Sequence, residues 1–237
     1  VCGTHTMSIA RFGIRSLLPE GIKLISGPGC PVCVTAEPVV DAAVAIAGLP
    51  DTVVVTFGDM MRVPGSGSSL EVRRAEGADV RVVYSPLDAV AMAEAEPGRR
   101  FVFVSVGFET TTPGIALSVL EAERRSLGNI FFLTANRLVV PAMEALCRSG
   151  EVAIDGFLCP GHVSVVIGSD AYRGIARDFG IPCVVSGFEP VDILAALLLL
   201  LRRIARRRAG ERAEVDNAYG RAVTPLGNRT AMDTMLK

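Results

Sequence analysis

Short apolar runs rich in Val, Ile and Phe alternate along this chain with longer stretches of helical periodicity, and this alternation constrains the fold more than any other feature. The runs are residues 23–26, 53–57, 80–84, 101–106, 130–134, 154–158 and 183–186, each bounded by Gly, Pro or Asp. They are apolar nearly throughout rather than at every second position. That is how strands buried on both faces of a parallel sheet read. Helical patterns fill residues 37–47, 87–94, 113–127, 141–148, 171–179 and 191–208, several with Pro in the first turn. The alternation predicts an α/β fold: two similar domains with mainly parallel sheets flanked by helices.

A chain of 237 residues is long enough for one or two domains with a real core. Glu96-Pro97-Gly98-Arg99-Arg100 is the strongest break in the pattern. It predicts one α/β domain over residues 1–98, carrying Cys2 and a Cys-Pro-Val-Cys loop, and a second over 99–208. Periodicity fades after Gly210, so 209–237 reads as the start of a truncated C-terminal segment, with a helix beginning near 231. The opening Val1-Cys2, without an initiator Met, also reads as a fragment. Gly65-Ser66-Gly67-Ser68-Ser69 reads as a flexible loop tip.

Charge and composition exclude several functions. Basic and acidic residues balance at 24 and 25, Trp is absent and aromatic residues make up 5%. Nucleic-acid binding needs a positive field and stacking surfaces that such a chain lacks. The longest apolar run, residues 193–201, is far short of the roughly 20 residues a membrane span requires. The five arginines that follow it, Arg202, Arg203, Arg206, Arg207 and Arg208, suit the solvated basic end of a buried helix, with a membrane-surface helix as the alternative. Six cysteines are too sparse for a secreted disulfide scaffold, and no leader is visible, so a reducing cytoplasm is predicted. The Gly-Pro-Gly turn is no dinucleotide fingerprint, and no phosphate-binding lysine loop occurs.

The chemistry-bearing residues cluster in Gly-rich loops at strand ends, where open α/β sheets form their sites. In Ser26-Gly27-Pro28-Gly29-Cys30-Pro31-Val32-Cys33, the spacing of Cys30 and Cys33 brings two sulfurs within bonding distance beside a coming helix. A helix N-terminus favours the thiolate, which suits a dithiol–disulfide couple. A zinc half-site and a structural role remain open. In Cys2-Gly3-Thr4-His5-Thr6, thiol and imidazole can share a metal or a proton, or be an ordinary buried Cys beside a terminal His. Asp59 and Arg62 follow one strand, either paired or facing a ligand. Glu109 sits among threonines that can cap a helix, His162 follows Pro160-Gly161, and Glu189 follows Gly187-Phe188. Both histidines of the chain thus lie in strand-end loops, which predicts a shared cleft. Cys147, Cys159 and Cys183 share no close spacing and read as small core residues.

Together these loops resemble the HypD family of [NiFe]-hydrogenase maturation. CGTHT at 2–6, GPGCPVC at 27–33, TFGDMMRVPG at 56–65, GFETTTP at 107–113, PGHVS at 160–164 and SGFEPVDIL at 186–194 look like that family's motifs in that family's order. The resemblance implies a scaffold on which the Fe(CN)2CO unit is assembled, rather than a conventional turnover enzyme. Its implied partners are a HypC-like small chaperone and a HypE-like cyanide donor carrying a thiocyanate, with no nucleic acid or membrane. Cys2 would hold the iron, with His5 beside it as orienter or proton donor. Cys30 and Cys33 would be the redox dithiol, and Asp59, Glu109, His162 and Glu189 would line the cleft. The family also implies a [4Fe–4S] cluster whose cysteines are absent from this sequence, since none follows Cys183. Two readings compete with the scaffold: a thiol–disulfide oxidoreductase acting on proteins, and a binding module with structural cysteines. The scaffold reading requires Cys2, Cys30 and Cys33 to converge.

Overall fold

A computed structural model describes residues 2–27, 29–151 and 153–237, and in it the alternation resolves into two all-parallel sheets flanked by helices. The chain divides into two units. One comprises Val1–Gly29 with Leu138–Met232, the other Cys30–Arg137 with Asp233–Lys237.

The second unit holds β1 (Thr52–Thr56), β2 (Val80–Val82), β3 (Arg100–Ser105) and β4 (Ile130–Thr134), in the order β2-β1-β3-β4. Val54 of β1 stands opposite Val80 on one side and Val102 on the other. All five residues of β1 are buried, which explains why that run is apolar or Thr throughout. Side chains leave a strand alternately, so each face builds its own core. Val54, Val80 and Val104 pack with Val40, Ala43 and Ala47 of α2 (Glu37–Ala47) and Leu70 of α3 (Leu70–Ala75). Val53, Val55, Phe101 and Phe103 pack with Ala89, Val90 and Ala93 of α4 (Pro86–Ala95) and with Ile115 and Ala122 of α5 (Thr112–Arg124). From β1 the chain goes first to one side, at β2, and then to the other, at β3. The loops after β1 and β3 therefore flank the point where strand order reverses, the usual place for a site in an open sheet.

The first unit holds β5 (Phe157–Pro160), β6 (Cys183–Ser186) and β7 (Val215–Asn217), in that order. On one face, Leu158 and Val184 pack with Ile9 of α1 (Gly3–Arg11) and with Ile193, Ala196, Leu197 and Leu200 of α9 (Pro190–Arg208). On the other, Cys159, Cys183 and Val185 pack with Tyr172 and with Ile175 of α8 (Arg173–Phe179). Also in this unit are α6 (Val139–Ser149) and α7 (Gly161–Ile167), while α10 (Arg229–Met235) closes the chain's helices.

Several expectations are corrected. The break at 98/99 falls inside one sheet, because β3 pairs with β1 in register from Thr52 opposite Arg100. Pro97-Gly98 marks a tight helix-to-strand turn. Arg81 and Arg99 tie it down through Asp79 and Glu96, and the Asn129 amide donates to the carbonyls of Ala93, Glu96 and Arg99. Residues 209–237 are not a separate segment: β7 pairs with β6 there, Val184 opposite Asp216. Residues 23–26 join no sheet. Leu24 packs against the first unit's core instead, and Ser26 lies 2.9 Å from the Thr6 hydroxyl. The 65–69 loop is clamped rather than loose, since Asp41 accepts from the Ser66 amide at 2.8 Å and its hydroxyl at 2.6 Å. α9 is two-faced: Ile193 and Leu197 are buried while Val191, Leu198, Arg202, Arg206 and Arg208 are exposed. Among the described residues, no helix is long and apolar enough to cross a membrane.

Candidate functional site

In the first unit, Cys2 caps the N-terminus of α1. Its backbone is extended (φ −81°, ψ 174°), and Sγ accepts from the His5 amide at 3.5 Å. The cap brings the side chains of positions 2 and 5 to one edge of the first turn, and Cys2 Sγ lies 3.4 Å from His5 Nδ1. The Thr6 hydroxyl donates to the Cys2 carbonyl at 2.9 Å. Gly3 lets the chain return closely, because a Cβ there would stand 3.1 Å from Gly29 Cα.

His5 is fully buried. Its Nε2 lies 3.0 Å from the Gly187 carbonyl, which can only accept, so Nε2 carries the proton and Nδ1 turns its lone pair toward the Cys2 sulfur. Burial pushes the imidazole down to about 4, against the upward pull of the Gly187 carbonyl. The ring is therefore neutral at physiological pH. Phe188 lies between the two histidines, its centroid 4.7 Å from that of His5 and 4.1 Å from that of the exposed His162. Glu189 is exposed at the start of α9 and makes no side-chain cap.

The second unit holds Cys30 and Cys33 in a turn before α2. The Thr35 hydroxyl donates to the Pro31 carbonyl at 3.0 Å, and Val32 is anchored in the core between the two cysteines. Cys33 is exposed and Cys30 half-buried; both are free thiols. The Cys33 thiol is held above its ordinary value, first by a hydrogen bond with the Cys30 thiol, with a small contribution from the charge of Asp59. The expected lowering by a helix end does not operate on Cys33: α2 begins only at Glu37, and the neighbouring sulfur dominates. Asp59 is exposed in a short 3-10 turn, Gly58–Arg62, and Arg62 pairs with Glu71 rather than with it. Glu109 is buried in the loop after β3. The threonines there do not cap α5 through their side chains; the Thr112 hydroxyl donates to the Phe108 carbonyl at 2.9 Å.

The candidate residues thus divide between the units: Cys2, His5, His162 and Glu189 fall in the first, where Phe188 links the two histidines, and Cys30, Cys33, Asp59 and Glu109 in the second. Sequence reasoning missed Phe188 as the ring joining both histidines, although it lies inside a quoted motif. It also missed Asn136, which accepts from the Ser105 hydroxyl at 2.6 Å and donates to Thr112 Oγ1 at 3.1 Å, tying the ends of β3 and β4 to α5. No local pattern marks it. Cys159 and Cys183 are buried as expected. They share a hydrogen bond, and burial pushes the Cys159 thiol well up, which keeps it unreactive.

Among the described residues, no three His, Cys, Asp or Glu side chains are grouped to hold a metal ion. The cysteines present therefore do not fit a four-cysteine iron–sulfur cluster. Cys2 offers one soft ligand, with a base beside it.

The family model described as HypD, "Hydrogenase formation hypA family", matches residues 1–237. "Hydrogenase maturation factor HypD" of Rhodobacter capsulatus is 48% identical over 233 residues, covering 98% of this chain and 60% of that protein. The protein of the same name from Escherichia coli (strain K12) is 44% identical over 235 residues, covering 99% of this chain and 62% of that protein. That from Cupriavidus necator is 45% identical over 237 residues, covering 97% and 62%. The chain therefore spans about three fifths of the length of these curated relatives.

Proposed function

This chain belongs to the HypD family of hydrogenase maturation factors, and from that premise we propose that it is the scaffold on which the Fe(CN)2CO unit is put together. The observation that carries this reading is the Cys2–His5 pair. A half-buried thiol at a helix N-terminus, 3.4 Å from a neutral imidazole whose tautomer is fixed by a remote carbonyl, is a prepared ligand for a soft, low-spin iron. One thiolate cannot hold iron alone, so the remaining ligands come from the cargo's own diatomics and from a HypC-like partner. As iron takes the thiolate, the S–H proton goes to solvent from the half-buried sulfur. The imidazole, titrating near 4, stays neutral, and its Nδ1 lone pair orients the S–H rather than removing its proton.

Cys30 and Cys33 supply the electrons in this proposal. Release of cyanide from a thiocyanate on a HypE-like donor breaks the S–C bond and needs two electrons and two protons. The dithiol gives both as it closes to a disulfide, leaving a free thiol on the donor and hydrogen cyanide for the iron. A two-electron reductant of the thiol class then reopens the disulfide. Cys33 is exposed, within reach of a partner's sulfur, and Cys30 stands behind it as the resolving thiol. Asp59, Glu109, His162 and Glu189 remain candidate lining residues. A reducing cytoplasm is the compartment in which such a couple stays open.

The same exposed thiol pair favours a second reading, a general thiol–disulfide oxidoreductase, in which Cys2 has no task. The test is the complex purified with its small partner. Cys2→Ala should abolish bound iron together with the infrared bands of CO and cyanide, while Cys33→Ala keeps iron but loses the cyanide bands. Retention of iron and bands in Cys2→Ala overturns the scaffold reading, and unchanged dithiol turnover in that variant supports the second.

A further inference from the structure

The tautomer of His5 depends chiefly on the Gly187 carbonyl, with that of Ser186 a lesser partner, and the Gly187 carbonyl is held from behind. Gly187 follows β6, and a Cβ on it would stand 2.2 Å from Asp192 Oδ2 and 2.7 Å from the Tyr219 ring, so its backbone lies directly against both side chains. Asp192 sits in the first turn of α9, its side chain only 11% exposed. Arg221 grips its two oxygens at 2.7 and 2.5 Å, the fork geometry that fixes orientation as well as distance. The guanidinium also lies 4.6 Å over the Tyr219 ring. Tyr219 in turn closes on the other histidine loop, where a Cβ on Gly161 would stand 2.9 Å from it and 2.6 Å from the Ser186 carbonyl. The Ser186 hydroxyl donates to the Gly187 carbonyl at 2.8 Å.

We infer that the Arg221–Asp192 ion pair is a positioning device, which sets the Gly187 carbonyl and through it decides whether Nδ1 of His5, the nitrogen facing Cys2, is bare or carries the proton. Without Arg221, a nearly buried carboxylate lies against the Gly187 backbone with only the Glu189 backbone amide to bond it, and the loop must move to hydrate it. His5 Nε2–H then loses its principal acceptor, and the second tautomer, with Nδ1–H turned toward the sulfur, becomes populated. The inference rests on the scaffold reading only for its consequence at iron; the positioning is a property of the metal-free chain.

A merely stabilising ion pair would do none of this, and the same unit supplies the control. Arg203 grips Asp216 at 2.7 and 2.8 Å, joining α9 to β7. Nitrogen-15 spectra of the histidine rings, taken on the metal-free chain at neutral pH, separate the cases. Wild type should show a protonated Nε2 and a bare Nδ1 for His5. In Arg221→Gln the two signals should move toward each other, the tautomer ratio falling about fivefold, as expected for one ordinary hydrogen bond. Arg203→Gln should leave them apart while lowering the unfolding midpoint comparably. Should Arg221→Gln fail to fold, Arg221→Lys, which keeps the charge without the fork, is read in the same way. Unmoved His5 signals, or equal movement in Arg203→Gln, would overturn the inference. Iron retention in the partner complex is read separately. If the tautomer shifts and iron is held as before, the positioning stands and the role given to His5 at the iron fails.

Discussion

At the residue scale, the account turns on how burial and single hydrogen bonds set the state of three sulfurs and one imidazole. Burial holds His5 near 4, against 6.5 for a solvated ring. Between those values the unfolded chain binds more protons than the folded one. Stability therefore rises with pH across that window and is lost as pH falls from 6.5 toward 4, by roughly 2–3 kcal/mol. Denaturant titrations at neutral pH and at about pH 4.5 should show this loss in wild type and a smaller one in His5→Gln, the carboxylates being common to both. Equal losses would mean that the ring is protonated in the fold. At Cys33 the raised thiol comes from its bond to Cys30, so Cys30→Ala should speed alkylation of Cys33 at neutral pH, followed residue by residue by mass spectrometry. A slower rate would make Cys30 an activator instead. These residues were legible because their spacings are local: Cys2 and His5 are three apart, as are Cys30 and Cys33. The partner that fixes the imidazole was not, because Gly187 lies 182 positions from His5 and contributes only a backbone oxygen.

At the element scale, the strand-end loops are held by glycines where neighbouring backbones nearly touch. Gly161 opens α7 with its Cα against the Ser186 carbonyl and the Tyr219 ring. Gly161→Ala should cost about 2 kcal/mol by overpacking and loosen both histidine loops, measured as a lower denaturation midpoint. An unchanged midpoint would show that the loops have room to spare. Val32→Ala should cost about 1–2 kcal/mol and make Cys30 alkylate faster, since Val32 is the anchor that seats the Cys-Pro-Val-Cys turn in the core. Long elements with strong periodicity, such as α2 and α9, were readable within a residue or so at either end. The short ones were not. α1 carries threonines and a glycine where a helix pattern would be apolar, and its helix is seen only once Ile9 has a core to enter. β7 is an edge strand of three half-buried residues, Val-Asp-Asn, with too few apolar positions to announce itself.

At the scale of the whole molecule, the α/β class was legible and the partition was not. Pro-Gly reads as punctuation whether it ends a domain or turns a helix into the next strand, and only the pairing of β1 with β3 decides between them. The chain instead changes unit between Gly29 and Cys30, between Arg137 and Leu138 and between Met232 and Asp233. Because residues 30–137 hold the whole four-stranded sheet and the cores on both its faces, that segment should fold when expressed alone, with mixed helix and strand circular dichroism and one cooperative transition. A disordered product would show that the partition is not one of stability. The two groups of sulfur chemistry fall on either side of the first crossing, Cys2 before it and Cys30 immediately after it. The central claim is that Cys2 alone of these cysteines is the iron's ligand. Iron-edge X-ray absorption on the complex with the small partner tests it most directly. Replacing Cys2 by Ser should remove one sulfur from the iron's first shell, whereas Cys30→Ser with Cys33→Ser should leave the sulfur count as it was. A sulfur shell that survives the first change and shrinks with the second would contradict the account.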